Sequence, residues 1–153
     1  MLFRSIVALT IAVKPMGCRV YGSDQKIYIR NHYGYYPDVT VMCGDPQLAF
    51  AEALQNPLLL AEVLSPSTEK KDRTTKWAQY QTIATLQHYV MIDQYKPHVD
   101  YYGRGDNNEW LPVRTFTALS DTWQFVVGDK AVTIPLSEIY DLVTFDDAPD
   151  DEN

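Results

Sequence analysis

Glu62 interrupts the most apolar run of the chain, residues 58–64 with the sequence LLLAEVL, and this placement constrains the fold more than any other feature. A run this short and this apolar, stopped by Ser65-Pro66-Ser67-Thr68, reads as a buried strand. A carboxylate inside such a strand is costly unless it is paired or bound to a cation. A second acid, Asp38, stands after Pro37 at the mouth of another apolar run, residues 39–43. Neighbouring strands lie about 4.8 Å apart, so carboxylates on two of them can share one ion. Magnesium takes one or two carboxylates and keeps several waters, whereas zinc prefers His or Cys. Mg2+ is therefore the expected cofactor, with Mn2+ able to use the same oxygens. The backbone carbonyl of Val63 would complete the shell. Lys76 lies on the following helical pattern, on the flank it shares with Tyr80 and Ile83. Its ammonium would point back across the sheet, where phosphodiester cleavage needs positive charge beside the attacking water.

Plainer explanations use the same residues. Asp38 would also serve as a strand-entry turn residue. Glu62 would also pair with Arg73 or Lys76 in a buried structural salt bridge. Asp72 and Lys76, four apart, would make a surface pair worth about 0.3 kcal/mol. Ser65 and Ser67 read as turn and cap residues, not nucleophiles, since no histidine stands at a suggestive spacing. His32, His88 and His98 read as loop or sheet residues, and Asp93 as a turn former.

Along the chain, residues 1–13 are apolar but too short to span a bilayer, and no small-x-small cleavage site follows. They fit the end of a core-packing helix or a strand better than a secretion signal. Strands are expected at 18–21, 26–30 and 39–43, forming a meander of neighbours. Residues 44–57 read as a loop, with a helical turn at 49–54. A helix is expected over 72–84, with Trp77, Tyr80 and Ala84 on one stripe and Asp72 at its positive end. A strand at 88–93 follows. Residues 99–103 and 110–116 read as a hairpin around Gly105-Asp106-Asn107-Asn108. Strand-like runs at 121–129 and 131–134 lead to a last helix over 135–143, with Pro135 in its first turn. The fold class is α+β: a mixed central sheet flanked by helices, in one domain over 1–145.

Net charge is −7, and five of the acids lie in the tail 146–153, so removing them leaves −2. The tail reads as a disordered acidic end. The body lacks the basic stripe of a duplex coat; only Lys70, Lys71, Arg73 and Lys76 cluster. The two cysteines, Cys18 and Cys43, form no zinc signature. Cys43 closes an apolar run and reads as a small buried hydrophobe, in keeping with a reducing cytoplasm. The 11 Tyr and 3 Trp favour half-buried surfaces and interfaces, such as a homodimer face.

Taken together, Tyr36-Pro37-Asp38-Val39, the run from Glu62 to Thr68, Asp72-Arg73-Thr74-Thr75-Lys76 and Tyr80 resemble the Uma-type family of restriction-endonuclease-like proteins, within the PD-(D/E)-x-K nuclease superfamily. The likeness covers roughly 18–140 of the sequence. It implies a restriction-endonuclease-like core and a magnesium-dependent phosphodiesterase site. Asp38 and Glu62 would be the metal ligands and Lys76 the catalytic cation, with Ser65, Asp72, Arg73 and Tyr80 in support. The lysine that the superfamily places two residues after the glutamate is Leu64 here, and the following helix would supply it instead. Relatives open with an acidic segment and a full first helix, and this chain opens inside what resembles that helix. The function implied is a metal-dependent DNA endonuclease. The rival is a catalytically inactive nuclease-fold module for binding or dimerisation.

Overall fold

The computed structural model describes residues 2–30, 32–141, 143 and 145, without the side chains of 2, 3, 32 and 33. The expected acidic tail lies outside the described residues. In chain order the elements are α1 (Leu2–Val13), β1 (Cys18–Tyr21), β2 (Ile27–Ile29), β3 (His32–Tyr35), β4 (Val39–Cys43) and β5 (Leu59–Leu64). Then come α2 (Glu69–Arg73), α3 (Thr75–Tyr80), β6 (His88–Asp93), β7 (Val99–Gly103), β8 (Arg114–Phe116), β9 (Thr122–Val127), β10 (Lys130–Pro135) and α4 (Leu136–Ile139).

A six-stranded mixed sheet runs in the order β1-β4-β5-β6-β7-β8. Its one parallel pair is β5 with β6, and the connection between them carries α2 and α3. A parallel pair needs such a crossover, so the charged turn after Leu64 is bound to return as helix. Side chains alternate along each strand and sort into two cores. Leu59, Ala61, Val90, Ile92 and Val99 face α1, α4 and the β9–β10 hairpin, meeting Leu9, Val13, Trp123, Phe125 and Leu136. Leu60, Leu64, Tyr89 and Met91 face the other way, onto Tyr80, Ile83, Leu86 and the β2 residues Ile27 and Ile29. Glu62 belongs to this second face by its alternation between Leu60 and Leu64.

Four strands keep the expected bounds, and the expected hairpin pairs Val99 with Phe116, with β8 shortened to three residues. Four expectations are corrected. The first three strands are not a meander: β1 pairs directly with β4, while β2 pairs with β3 in a separate ladder. The helix expected over 72–84 is two short helices, broken at Thr74 with φ −118° and ψ −83°. Thr74 donates its hydroxyl to the Lys70 carbonyl at 2.6 Å, a back-bond that bends helices. The chain leaves α3 at Gln81, so Ala84 is exposed and off the stripe. The last helix stops at Ile139 rather than 143, because Tyr140 donates its hydroxyl to the Asp93 carbonyl at 2.7 Å. Pro135 closes β10 instead of opening that helix in helical geometry.

Cys43 is likewise not an isolated apolar residue. It stands opposite Cys18 in the β1–β4 register and the two form a disulfide. The bridge removes the cysteine-based reason for expecting a reducing compartment. Among the described residues no helix is long and apolar enough to cross a membrane. His88 is a buried sheet residue, as expected. Its Nε2 meets the Val126 carbonyl at 2.9 Å and therefore donates, leaving Nδ1 to accept from Tyr101 at 2.7 Å. Burial lowers its pKa to about 4, so this neutral link holds β9 to the sheet.

Candidate active site

The register pairs Val39 with Ala61, so one step further places Asp38 across from Glu62. Asp38 Oδ2 accepts the Val63 backbone N–H at 2.7 Å. The carboxylate thus stands in for a strand carbonyl just before β4 begins, so the expected strand-entry role and a candidate site position fall on one side chain. N–H and C=O of a strand residue leave on the same side, so the Val63 carbonyl also faces the Asp38 flank.

Glu62 is 2% exposed. Its Oε1 accepts from the Tyr80 hydroxyl at 2.9 Å and lies 3.4 Å from Lys76 Nζ. Lys76 Nζ is nearer to Asp72 Oδ1, at 2.8 Å. Asp72 is 1% exposed, so this is no surface pair as the spacing alone suggested. The Tyr35 ring lies 5.7 Å from Nζ and Tyr35 also packs edge-on against Tyr80.

These contacts set the charges. Burial pushes the Glu62 carboxyl up to about 8; Lys76 opposes this, while the Asp72 and Asp38 carboxylates add to it. Burial alone would lower the Lys76 ammonium, but its bonds to Asp72 and Glu62 win and raise it. Tyr80 is raised by burial and by the Glu62 charge, so it remains a proton donor. Lys76 pairs with Glu62 and Asp72, and the Asp38 carboxylate adds a third acidic charge beside Glu62. Fully ionised, the group carries two uncompensated negative charges, the complement of a divalent cation.

The donor set also fits such an ion. Among the described residues, Glu62 Oε2 and Asp38 Oδ1 accept no hydrogen bond. No three His, Cys, Asp or Glu side chains among them make a ready cage. Two free carboxylate oxygens and the Val63 carbonyl are the small, oxygen-only set that lets magnesium keep its waters.

The other expected residues divide. Tyr80 and Asp72 join the cluster. Arg73 does not touch Glu62; it pairs with Asp100 at 2.8 Å and with Glu69 at 3.0 Å. Ser65 stands apart, its hydroxyl 2.8 Å from that of Thr68 and 3.1 Å from that of Ser67. Asp93 is a turn former, accepting the Tyr95 and Lys96 amides. Sequence reasoning missed Asp100, buried on β7, which accepts from Arg73, His98 and Thr115. The signal was present: it too is an acid inside an apolar strand, as Glu62 is.

An α+β core with these acids on adjoining strands defines a restriction-endonuclease-like protein. A crystal structure described as that of a putative nuclease belonging to DUF820, from Anabaena variabilis ATCC 29413, superimposes with a TM-score of 0.69 at 15% identity. The match covers 91% of this chain and 77% of that one, which establishes the likeness of fold. Residues 3–128 match the model of the family Uma2, "Putative restriction endonuclease", and the chain belongs to that family. It is also similar to two Synechocystis sp. proteins, "Uncharacterized protein sll1609" and "Uncharacterized protein slr1290", at 37% identity over 95 residues each. Those matches cover 60% and 61% of this chain, and the chain spans about half the length of both relatives, 54% and 50%.

Proposed function

We propose that the chain is a metal-dependent nuclease that hydrolyses phosphodiester bonds in DNA. The observation that carries this reading is the excess of buried acid: Glu62 is sealed in the sheet beside Asp38 and Asp72 with one lysine to balance them. Membership of the nuclease family and the nuclease-like fold support it. Asp38, Glu62 and the Val63 carbonyl would hold Mg2+, or Mn2+ in its place. The ion would supply a more acidic bound water and a partner for phosphate oxygens. Tyr80 fixes one Glu62 oxygen, and the other accepts no hydrogen bond among the described residues. Lys76 remains protonated and meets the negative charge that builds on the phosphoryl group. In the same reading the protein acts as a homodimer, one site for each DNA strand.

One observation favours a second reading. Lys76 already contacts Glu62, so the cluster would also suit an inactive nuclease-fold module closed by an ion pair. Incubation of supercoiled plasmid with the purified chain and magnesium separates the two. The nuclease reading predicts magnesium-dependent nicking, and a loss of about 100-fold or more in Asp38→Ala. Nicking by Asp38→Ala at the parental rate would defeat it.

A further inference from the structure

We infer that Asp72 is a positioning residue: it tethers Lys76 so that the ammonium stays in the site when Glu62 turns its oxygens to a cation. The inference rests on the nuclease reading above and deepens it. Lys76 has two acidic partners, and they are unequal. Asp72 Oδ1 is 2.8 Å from Nζ, and Glu62 Oε1 is 3.4 Å away. The nearer partner stands on α2, outside the β4–β5 register that places Asp38 across from Glu62.

The Asp72 main chain is held without help from the lysine. Its N–H donates to the Thr68 carbonyl at 2.9 Å, and its own carbonyl accepts the Tyr89 hydroxyl at 2.9 Å. Its neighbour Arg73 is fixed to Asp100 on β7. Asp72 is thus anchored to β6 directly and to β7 through Arg73. Lys76 lies beyond the break at Thr74, so no continuous helix sets its distance from Asp72. The contact is made by the side chains. A free lysine side chain samples many rotamers, and the carboxylate of an anchored residue is what can confine it. A lysine two residues after Glu62 would be held by the strand, but Leu64 occupies that position and is buried in the core. A lysine borrowed from a helix needs a tether that the strand would otherwise provide.

The test reads Lys76 directly, by acylation with an amine-reactive ester and peptide mass spectrometry, with and without MgCl2. In the parent chain Lys76 should label slowly in both conditions. Asp72→Asn should label on the order of tenfold faster, with Lys70 and Lys71 unchanged, as expected for loss of a directly coupled partner. Glu62→Gln should stay near the parental rate. The tether is overturned if Asp72→Asn labels Lys76 at the parental rate, if Glu62→Gln frees it as much, or if magnesium frees it in the unmodified chain. Nicking supplies a second arm. Asp72→Asn should lower kcat with the magnesium requirement unchanged, and should add nothing in a Lys76→Ala background; additive losses overturn the tether. If the parent does not nick, the nuclease reading fails while the labelling still decides the tether.

Discussion

Glu62→Gln is expected to lower magnesium-dependent nicking by about 100-fold or more while making the metal-free protein harder to melt at pH 8. The first effect follows from the loss of a ligand oxygen. The second follows from the direction in which burial moves the Glu62 carboxyl. Its pKa is raised from 4.5 to about 8 in the folded chain. Between those values the native state keeps a proton that the unfolded chain has released. Stability therefore falls as pH rises through that window. A tenfold difference in proton affinity between the two states is worth about 1.4 kcal/mol, so the cost at pH 8 and above reaches a few kcal/mol. Glutamine does not ionise, and its carbonyl can still accept from Tyr80. Melts in chelator should show the variant well above the parent at pH 8 and close to it below about pH 4.5, where the parent carboxyl is protonated in both states. A variant that melts below the parent at pH 8 would mean that Glu62 is a net stabilising charge.

Lys76→Met should act in the opposite direction on stability. Removing one partner of a buried ion pair costs about 3–5 kcal/mol, because the other is left uncompensated. Here the orphaned partners are Asp72, which is 1% exposed, and Glu62, which is 2% exposed. The apolar methionine would fit under the Tyr35 ring, so the loss reports charge more than volume. A divalent cation at Glu62 and Asp38 would restore part of the balance by binding the native state alone. Magnesium should therefore raise the Tm of Lys76→Met by more than it raises that of the parent, although nicking falls by about 100-fold or more. Equal and negligible changes in both proteins would leave the cluster as an ion pair with no ligand.

The elements most legible in the sequence were those whose pattern depends on burial by the sheet. The runs around Val41, Leu60, Val90 and Tyr101 are apolar because a central strand is covered on both faces; three have the expected bounds, and the one around Leu60 starts one residue later, at Leu59. What the pattern did not carry was pairing. Ile27 and Ile29 are buried as a strand would bury them, but they pack under α3 and pair with β3. Helix ends were similarly hidden. Thr74 stops α2 through one back-bond, and Tyr140 ends α4 through a hydroxyl contact 47 positions away. Such contacts leave no periodicity. In the candidate site, Asp38, Glu62 and Lys76 were readable because acids and lysines are rare against apolar runs, and Tyr80 because it lies on the helical stripe. Asp72 was named but misjudged, since four-residue spacing says nothing about depth. Asp100 was passed over because Arg73 reaches it from another layer.

Soaking crystals in Mn2+ and collecting anomalous diffraction tests the central claim most directly. The expected result is a peak bound by Asp38 Oδ1, Glu62 Oε2 and the Val63 carbonyl at about 2 Å, with Lys76 still against Asp72. An empty difference map there, with the Lys76 ammonium closed onto Glu62 at saturating Mn2+, would contradict it.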